Sequence, residues 1–309
     1  MVQTVKRPLS EAAWLDIRSK FNLHPGYIHL AASQFLASHP TPVREAIARH
    51  RDALDRDPVG WTLANENAVM DRVRIAAARY FGVPNPSDIA MTDSTTMGLG
   101  LLYGGLRLSK DDDILIPEDD YYSHIEAVHR CADRTGAKVQ LLKLYERPSE
   151  ATENGIVDAV LESVSDRTRV LGLSWVHSNT GIKTPIARIA RELKRLNARR
   201  PAERRILFVV DGVHGFGVET MDIAEKRKNP QPAPIDGKAM TPGGFHSLEH
   251  RWALEEAFAF VESIGKEAIR DRVYLLNRRC KEGLRAIRGV TLHTPMRSEE
   301  RRVGKECRL

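Results

Sequence analysis

Apolar positions along the chain follow two alternating rhythms. Short unbroken aliphatic runs, of which residues 206–210 (ILFVV) are the strongest, alternate with longer stretches whose apolar residues recur at helical spacing. A run that is apolar throughout reads as a strand buried on both faces of a parallel sheet, and the amphipathic stretches read as the helices that cover it. This pattern predicts strands over residues 88–92, 113–116, 138–144, 169–176 and 206–210. Helices are predicted over 41–55, 66–81, 95–106, 123–135, 156–164, 185–196, 246–261 and 266–285. Local signals agree with two of these bounds: Pro42 stands just inside the start of the first helix, and Gly82 follows the end of the second. The expected class is α/β, with a mainly parallel sheet and helices on both faces.

Composition narrows the class further. A chain of 309 residues that is 42% hydrophobic can bury a large core, so a large domain with a smaller one is the natural expectation. Cys131, Cys280 and Cys307 are widely spaced with no CxxC pair, which argues against a disulfide framework and against a zinc site. The first residues lack a signal-peptide core and no later run is long enough to cross a bilayer, so a cytoplasmic protein without membrane association is expected. The formal charge of +6 does not indicate nucleic acid, because the basic residues are dispersed among 41 acidic ones. The basic knot at residues 195–205 (RLNARRPAERR) also lacks the interleaved aromatics of a single-strand binding surface.

Candidate chemistry gathers where the predicted strands end, which is where parallel sheets bind ligands. Asp211 closes the 206–210 run, and His214 follows among Gly212, Gly215 and Gly217. Earlier, Thr92-Asp93-Ser94-Thr95-Thr96 stands where a helix begins, and hydroxyls with free N–H groups at such a start bind phosphate. Gly98, Gly100 and Gly104 fall inside that helix and so do not form a dinucleotide fingerprint. Tyr121 and Tyr122, after residues 113–116, are suited to stacking on a flat ring. Trp175 through Gly181 supplies a further polar strand end, with Ser178 and Asn179 as hydrogen-bonding candidates. Glu118, Asp119 and Asp120 have no matching cluster elsewhere, so no metal site is expected, and no GxSxG elbow supports a serine hydrolase.

The order of these segments resembles the class-V aminotransferase family of fold-type I pyridoxal-phosphate enzymes, in its isopenicillin N epimerase-like branch. The resemblance is carried by HLAASQFLASHPTPVREAIARH from His29, TDSTTMGLGLL from Thr92, EDDYYSHIEAV from Glu118, HSNTGIKTPI from His177, VVDGVHGFG from Val209 and MTPGGFHSLEHRWALEEAF from Met240. It spans most of residues 20–295. It implies pyridoxal 5′-phosphate as cofactor and an amino acid as substrate. Thr95 and Thr96 match the phosphate-binding positions, Asp211 the carboxylate paired with the pyridine nitrogen, and His214 the residue beside the cofactor. Tyr121 falls in the ring-stacking role, and Asn179 or Ser178 near the ring hydroxyl. Thr241, in the TPGGF turn, resembles the segment that a neighbouring subunit contributes to the phosphate site, which implies a homodimer.

The chain also departs from the family. Where the family continues to a His-Lys pair whose lysine links to the cofactor, this chain runs through KRKNPQPAPIDGKA, and the lysine-bearing strand is not recognisable. Lys238 lies 27 residues beyond Asp211, near the expected spacing, but it follows Pro230, Pro232 and Pro234 and has no preceding His. The expected organisation is an N-terminal segment (1–40), a cofactor-binding large domain (41–262) and the start of an incomplete small domain (263–296). Residues 297–309 (RSEERRVGKECRL) have no family counterpart and are expected to be a non-native tail. Two functions follow: a pyridoxal-phosphate enzyme acting on amino acids, or a catalytically inert relative lacking the linking lysine.

Overall fold

The computed structural model describes residues 8–29, 38–220, 237, 240–243 and 246–296. Two compact units divide the chain, one formed by residues 1–91 and 219–271 and the other by residues 92–218 and the chain from Arg272 onward.

The second unit contains a four-stranded, wholly parallel sheet, β1 (Asp113–Pro117), β2 (Lys138–Leu142), β3 (Thr168–Ser174) and β4 (Leu207–Asp211), in the order β2-β1-β3-β4. Alternation along the central strands sorts side chains to opposite faces. Leu115, Leu171 and Leu173 face α6 (Glu153–Ser163) and α7 (Ile186–Ala198), whose Val160, Ile189 and Leu193 complete one core. Ile114, Ile116 and Val170 pack instead with Leu99 and Tyr103 of α4 (Thr95–Gly105) and with Val128 and Cys131 of α5 (Tyr122–Thr135). Helices thus cover both faces, as the sequence pattern predicts.

The first unit is helical among its described residues. It comprises α1 (Glu11–Ser19), α2 (Thr41–Arg56), α3 (Pro58–Phe81), α8 (Leu248–Trp252), α9 (Leu254–Ile264) and the beginning of α10 (Lys266–Arg285). Trp252, fully buried, packs with Leu54, Val69 and Met70, and Phe258 packs with Ala76, Ala77 and Tyr80. Among the described residues no helix is long and apolar enough to cross a membrane.

Three expectations need correction. Residues 88–92 are not a strand: Pro86–Asp88 forms a 3-10 turn capped by Asn85, and the Met91 N–H donates to Thr241 Oγ1 at 3.2 Å instead of to a neighbouring strand. β4 is not buried on both faces, because among the described residues it is an outer strand of the sheet and Leu207 is 43% exposed. The helix expected over 246–261 is broken at Ala253 into α8 and α9.

The basic knot has a structural use at the amino end of the sheet. Arg204 donates to Asp112 Oδ1 at 2.6 Å, and Arg200 donates to the carbonyls of Thr168 and Ser165 at 2.9 and 2.6 Å. These guanidiniums tie the β4 approach to the start of β1 and β3.

One glycine in the middle of β3 is a packing requirement. A Cβ at Gly172 would stand 2.5 Å from Tyr103 Oη and 2.9 Å from His124 Nε2, both fully buried. Gly172→Ala is therefore expected to cost about 1–3 kcal/mol, the usual range for overpacking. Urea unfolding checks this, and a Tyr103→Phe background, which removes the nearest atom, should recover part of the loss.

Candidate functional site

The carboxyl ends of the parallel strands share one edge of the sheet, and the chain order reverses between β1 and β3. A crevice at such a switch point is the usual ligand site in open α/β sheets. β1 leads into Glu118 through Tyr121, β3 into Trp175 through Asn179, and β4 ends on Asp211.

Asp120 organises this edge. It is 5% exposed, yet its carboxylate accepts the Ser174 N–H at 2.9 Å, the Ser174 hydroxyl at 2.6 Å and the Tyr121 N–H at 2.7 Å. His124 Nδ1 lies 3.3 Å from the same carboxylate, and His124 Nε2 is 2.8 Å from Tyr103 Oη. Burial pushes the Asp120 carboxyl up, but the bonds from His124 and Ser174, the attraction of His124 and the Tyr121 N–H outweigh it and hold the group below its ordinary value. Burial first, and then the charges of Asp120, Cys131 and Asp211, push the Tyr103 phenol up.

Asp211 is 3% exposed, and its Oδ1 accepts the Val213 N–H at 3.0 Å. It is the register partner of Ser174, and its carbonyl accepts the Trp175 N–H at 2.8 Å. The turn that follows lies directly on the Trp175 ring, where a Cβ at Gly215 would come within 2.3 Å. His214 is half-buried in this turn. Tyr121 lies in the same electrostatic neighbourhood: its hydrogen bond to Tyr122 and partial burial raise its phenol, and the Asp211 charge adds to the shift.

At the start of α4, the Ser94 hydroxyl accepts the Met97 N–H at 3.0 Å. The first N–H groups of a helix have no carbonyl within it to bond. Thr95 and Thr96 occupy these positions and are exposed, with Thr96 Oγ1 3.3 Å from Ser123 Oγ in the first turn of α5. Two helix N-termini are thereby joined through their hydroxyls. Positive ends of helix dipoles favour an anion.

The remaining predicted residues sit differently. Ser178 and Asn179 are exposed, whereas the neighbouring His177 is buried with neither ring nitrogen hydrogen-bonded, and its Nδ1 is 3.8 Å from Asp119 Oδ1. Thr241 belongs to the helical unit, where its hydroxyl accepts from Met91 N–H and from Arg74 Nη2 at 3.3 Å and donates to the Gly237 carbonyl at 3.1 Å. Lys238 lies outside the described residues. Among the described residues no group of three or more His, Cys, Asp or Glu is arranged to hold a metal ion.

Residues 61–227, more than half of the chain, match the family model of the class-V aminotransferases. The chain belongs to that family. It is 26% identical over 277 residues to isopenicillin N epimerase of Streptomyces clavuligerus, covering 85% of this chain and 66% of that protein. With isopenicillin N epimerase of Amycolatopsis lactamdurans it shares 25% identity over 214 residues, covering 69% and 51% respectively. A probable cysteine desulfurase of Haemophilus influenzae is 24% identical over 136 residues, 43% of this chain and 30% of that one. The chain thus spans between about half and two thirds of the length of the two epimerases.

Solved structures give the same fold for this class-V aminotransferase chain. The cystine C-S lyase C-DES, in complex with cysteine persulfide, superposes with a TM-score of 0.70 at 18% identity, over 81% of this chain and 76% of that one. Cysteine desulfurase CsdA of Escherichia coli superposes with a TM-score of 0.68 at 16% identity, over 91% and 78%.

His124, Tyr103, Ser174 and Ser123 are given no role by the residue-by-residue reading of the sequence, and Asp120 enters it only as one of three acids considered for a metal. Signals exist for some of them: Asp120 and His124 are four apart at a helix start, and Gly172 is a lone glycine in an aliphatic strand.

The Asp120 network sets a pH dependence. A carboxyl held below its ordinary pKa stabilises the fold fully above that value and loses the contribution as pH falls through the folded value. The unfolding midpoint of the wild-type chain should therefore fall as pH drops below about 4, the ordinary carboxylate range. Asp120→Asn should be less stable at pH 7 and show a shallower acid dependence, as measured by urea unfolding from pH 7 to 3.

Proposed function

We propose that the sheet unit is the cofactor-binding body of a pyridoxal-phosphate-dependent enzyme acting on amino acids, of the aminotransferase, epimerase or lyase type. The observation that carries this reading is the buried Asp211 carboxylate at the end of β4, the register partner of Ser174, which bonds the same Asp120 carboxylate as the Tyr121 N–H. The relatives support it: an epimerase and desulfurases of amino-acid substrates are what the chain resembles.

The donor set suits the cofactor. In this reading Asp211 would hold the pyridine nitrogen and keep it protonated, Tyr121 would stack on the ring, and Thr95 and Thr96 would offer hydroxyls and N–H groups to the phosphate. His214 would stand beside the cofactor, and Asn179 or Ser178 would serve its ring hydroxyl. Pyridoxal phosphate supplies an electron sink for negative charge at the α-carbon of an amino acid. The protein supplies orientation: the Trp175 ring supports the turn that carries His214, and the joined starts of α4 and α5 present an anion seat. Thr241 would serve the phosphate of a neighbouring subunit in a homodimer. The working compartment is the cytoplasm.

A second reading is favoured by a specific feature. β4 is an outer strand among the described residues, and the sequence after it lacks the family's His-Lys pair. On that reading the chain binds the cofactor without linking to it, and is an inert relative or a non-catalytic partner.

Titration of the purified chain with pyridoxal 5′-phosphate tests both, followed by borohydride reduction and peptide mass mapping. Saturable binding is expected, and Asp211→Asn should weaken it about tenfold or more, the scale of one hydrogen bond to a charged group. A single modified lysine at Lys238 supports the catalytic reading, and binding with no modified lysine supports the inert one. Absence of saturable binding refutes the proposal.

A further inference from the structure

We infer that Asp120 is a positioning residue that fixes the ring-stacking tyrosine, Tyr121, relative to the pyridine-facing carboxylate of Asp211. The inference rests on the cofactor-binding reading above and extends it to a residue that touches neither the ring nor the substrate.

Two short covalent segments are joined by one carboxylate. On one side, Asp120 Oδ1 accepts the Tyr121 N–H at 2.7 Å, which fixes the peptide plane from which the phenol projects. On the other, the carboxylate holds Ser174 through its N–H at 2.9 Å and its hydroxyl at 2.6 Å. Ser174 ends β3, a central strand, and is the register partner of Asp211. Tyr121 is therefore tied through Asp120 to the residue that stands beside Asp211 in the sheet. His124 and Tyr103 close the network from the helices, with the His124 ring at 0% exposure and 2.8 Å from Tyr103 Oη.

This anchor matters because α5 has no side-chain cap at Tyr121. Without Asp120, Tyr121 sits at a helix end that is free to fray, and a stacking ring has to be held at a fixed height and tilt. Asn at position 120 keeps the shape but replaces one acceptor oxygen with an NH2 group among donors. The Ser174 N–H, the Tyr121 N–H and the histidine then compete for a single oxygen.

Pyridoxal 5′-phosphate binding to wild-type, Asp120→Asn, Tyr121→Ala and the double variant tests this, read by the dissociation constant and by circular dichroism in the cofactor's absorption band. Asp120→Asn is expected to weaken binding about tenfold, comparable to losing one charge-assisted hydrogen bond, and to reduce the dichroic signal of the bound cofactor. In the Tyr121→Ala background the same change should produce no further loss, because Asp120 acts through that ring. Additive losses, or unchanged binding in Asp120→Asn, overturn the inference while leaving the cofactor reading in place. Failure of the wild-type chain to bind overturns both. If Asp120→Asn does not unfold cooperatively, Ser174→Ala replaces it in the same cycle, since it removes one bond to Asp120 and leaves the backbone N–H. A smaller loss with the same non-additivity is then expected, and additivity overturns the inference.

Discussion

A carboxylate stays ionised inside a protein only if the protein replaces the water it has lost, and Asp120 meets that condition with donors drawn from three parts of the sheet unit. Backbone and hydroxyl come from the end of β3, a backbone N–H from the turn after β1, and an imidazole from α5. Removing any one of them leaves buried charge without compensation, which is why such networks behave as a unit. The positions of the β1 turn, of the α5 start and of the β3 carboxyl end thereby depend on one another. Gly172 lets Tyr103 and His124 pack closely against β3, and both side chains are fully buried.

That constraint explains the character of the candidate site. The carboxylates and the hydroxyl that Asp120 ties together or lies near (Asp211, Ser174, Asp120) are buried at strand ends and in the turn after β1, while Thr95, Thr96, Ser178 and Asn179 are exposed at helix starts and loops. A rigid floor with an accessible rim is what binding of a planar, anionic group requires. Membership of the class-V aminotransferases accords with the same layout.

Much of the sheet unit was legible in the sequence because its signals are local. Aliphatic runs marked β1 through β4, periodicity marked α4 through α7, and the abrupt stop at Asp211 marked the end of β4. Residues 88–92 misled because Ile89 and Thr92 carry strand propensity while pairing depends on a distant partner; here the Met91 N–H goes to Thr241 instead. The 206–210 run looked central since hydrophobicity reports burial preference and not position in the sheet. Asp120 was hidden for a related reason. In sequence it is one acid among three, and its importance arises from Ser174, which lies 54 residues away.

The division of the chain carries a consequence for how it is made. The sheet and its four covering helices lie within one continuous stretch, whereas the helical unit draws on residues 1–91 and again on 219–271. During synthesis α2 and α3 are made before α8 and α9, the helices that bury Leu54, Met70 and Tyr80. Their apolar faces stay unsatisfied while more than a hundred further residues are added. The sheet and its covering helices can therefore be completed from contiguous sequence, whereas the core of the helical unit closes only after α8 and α9 have been made.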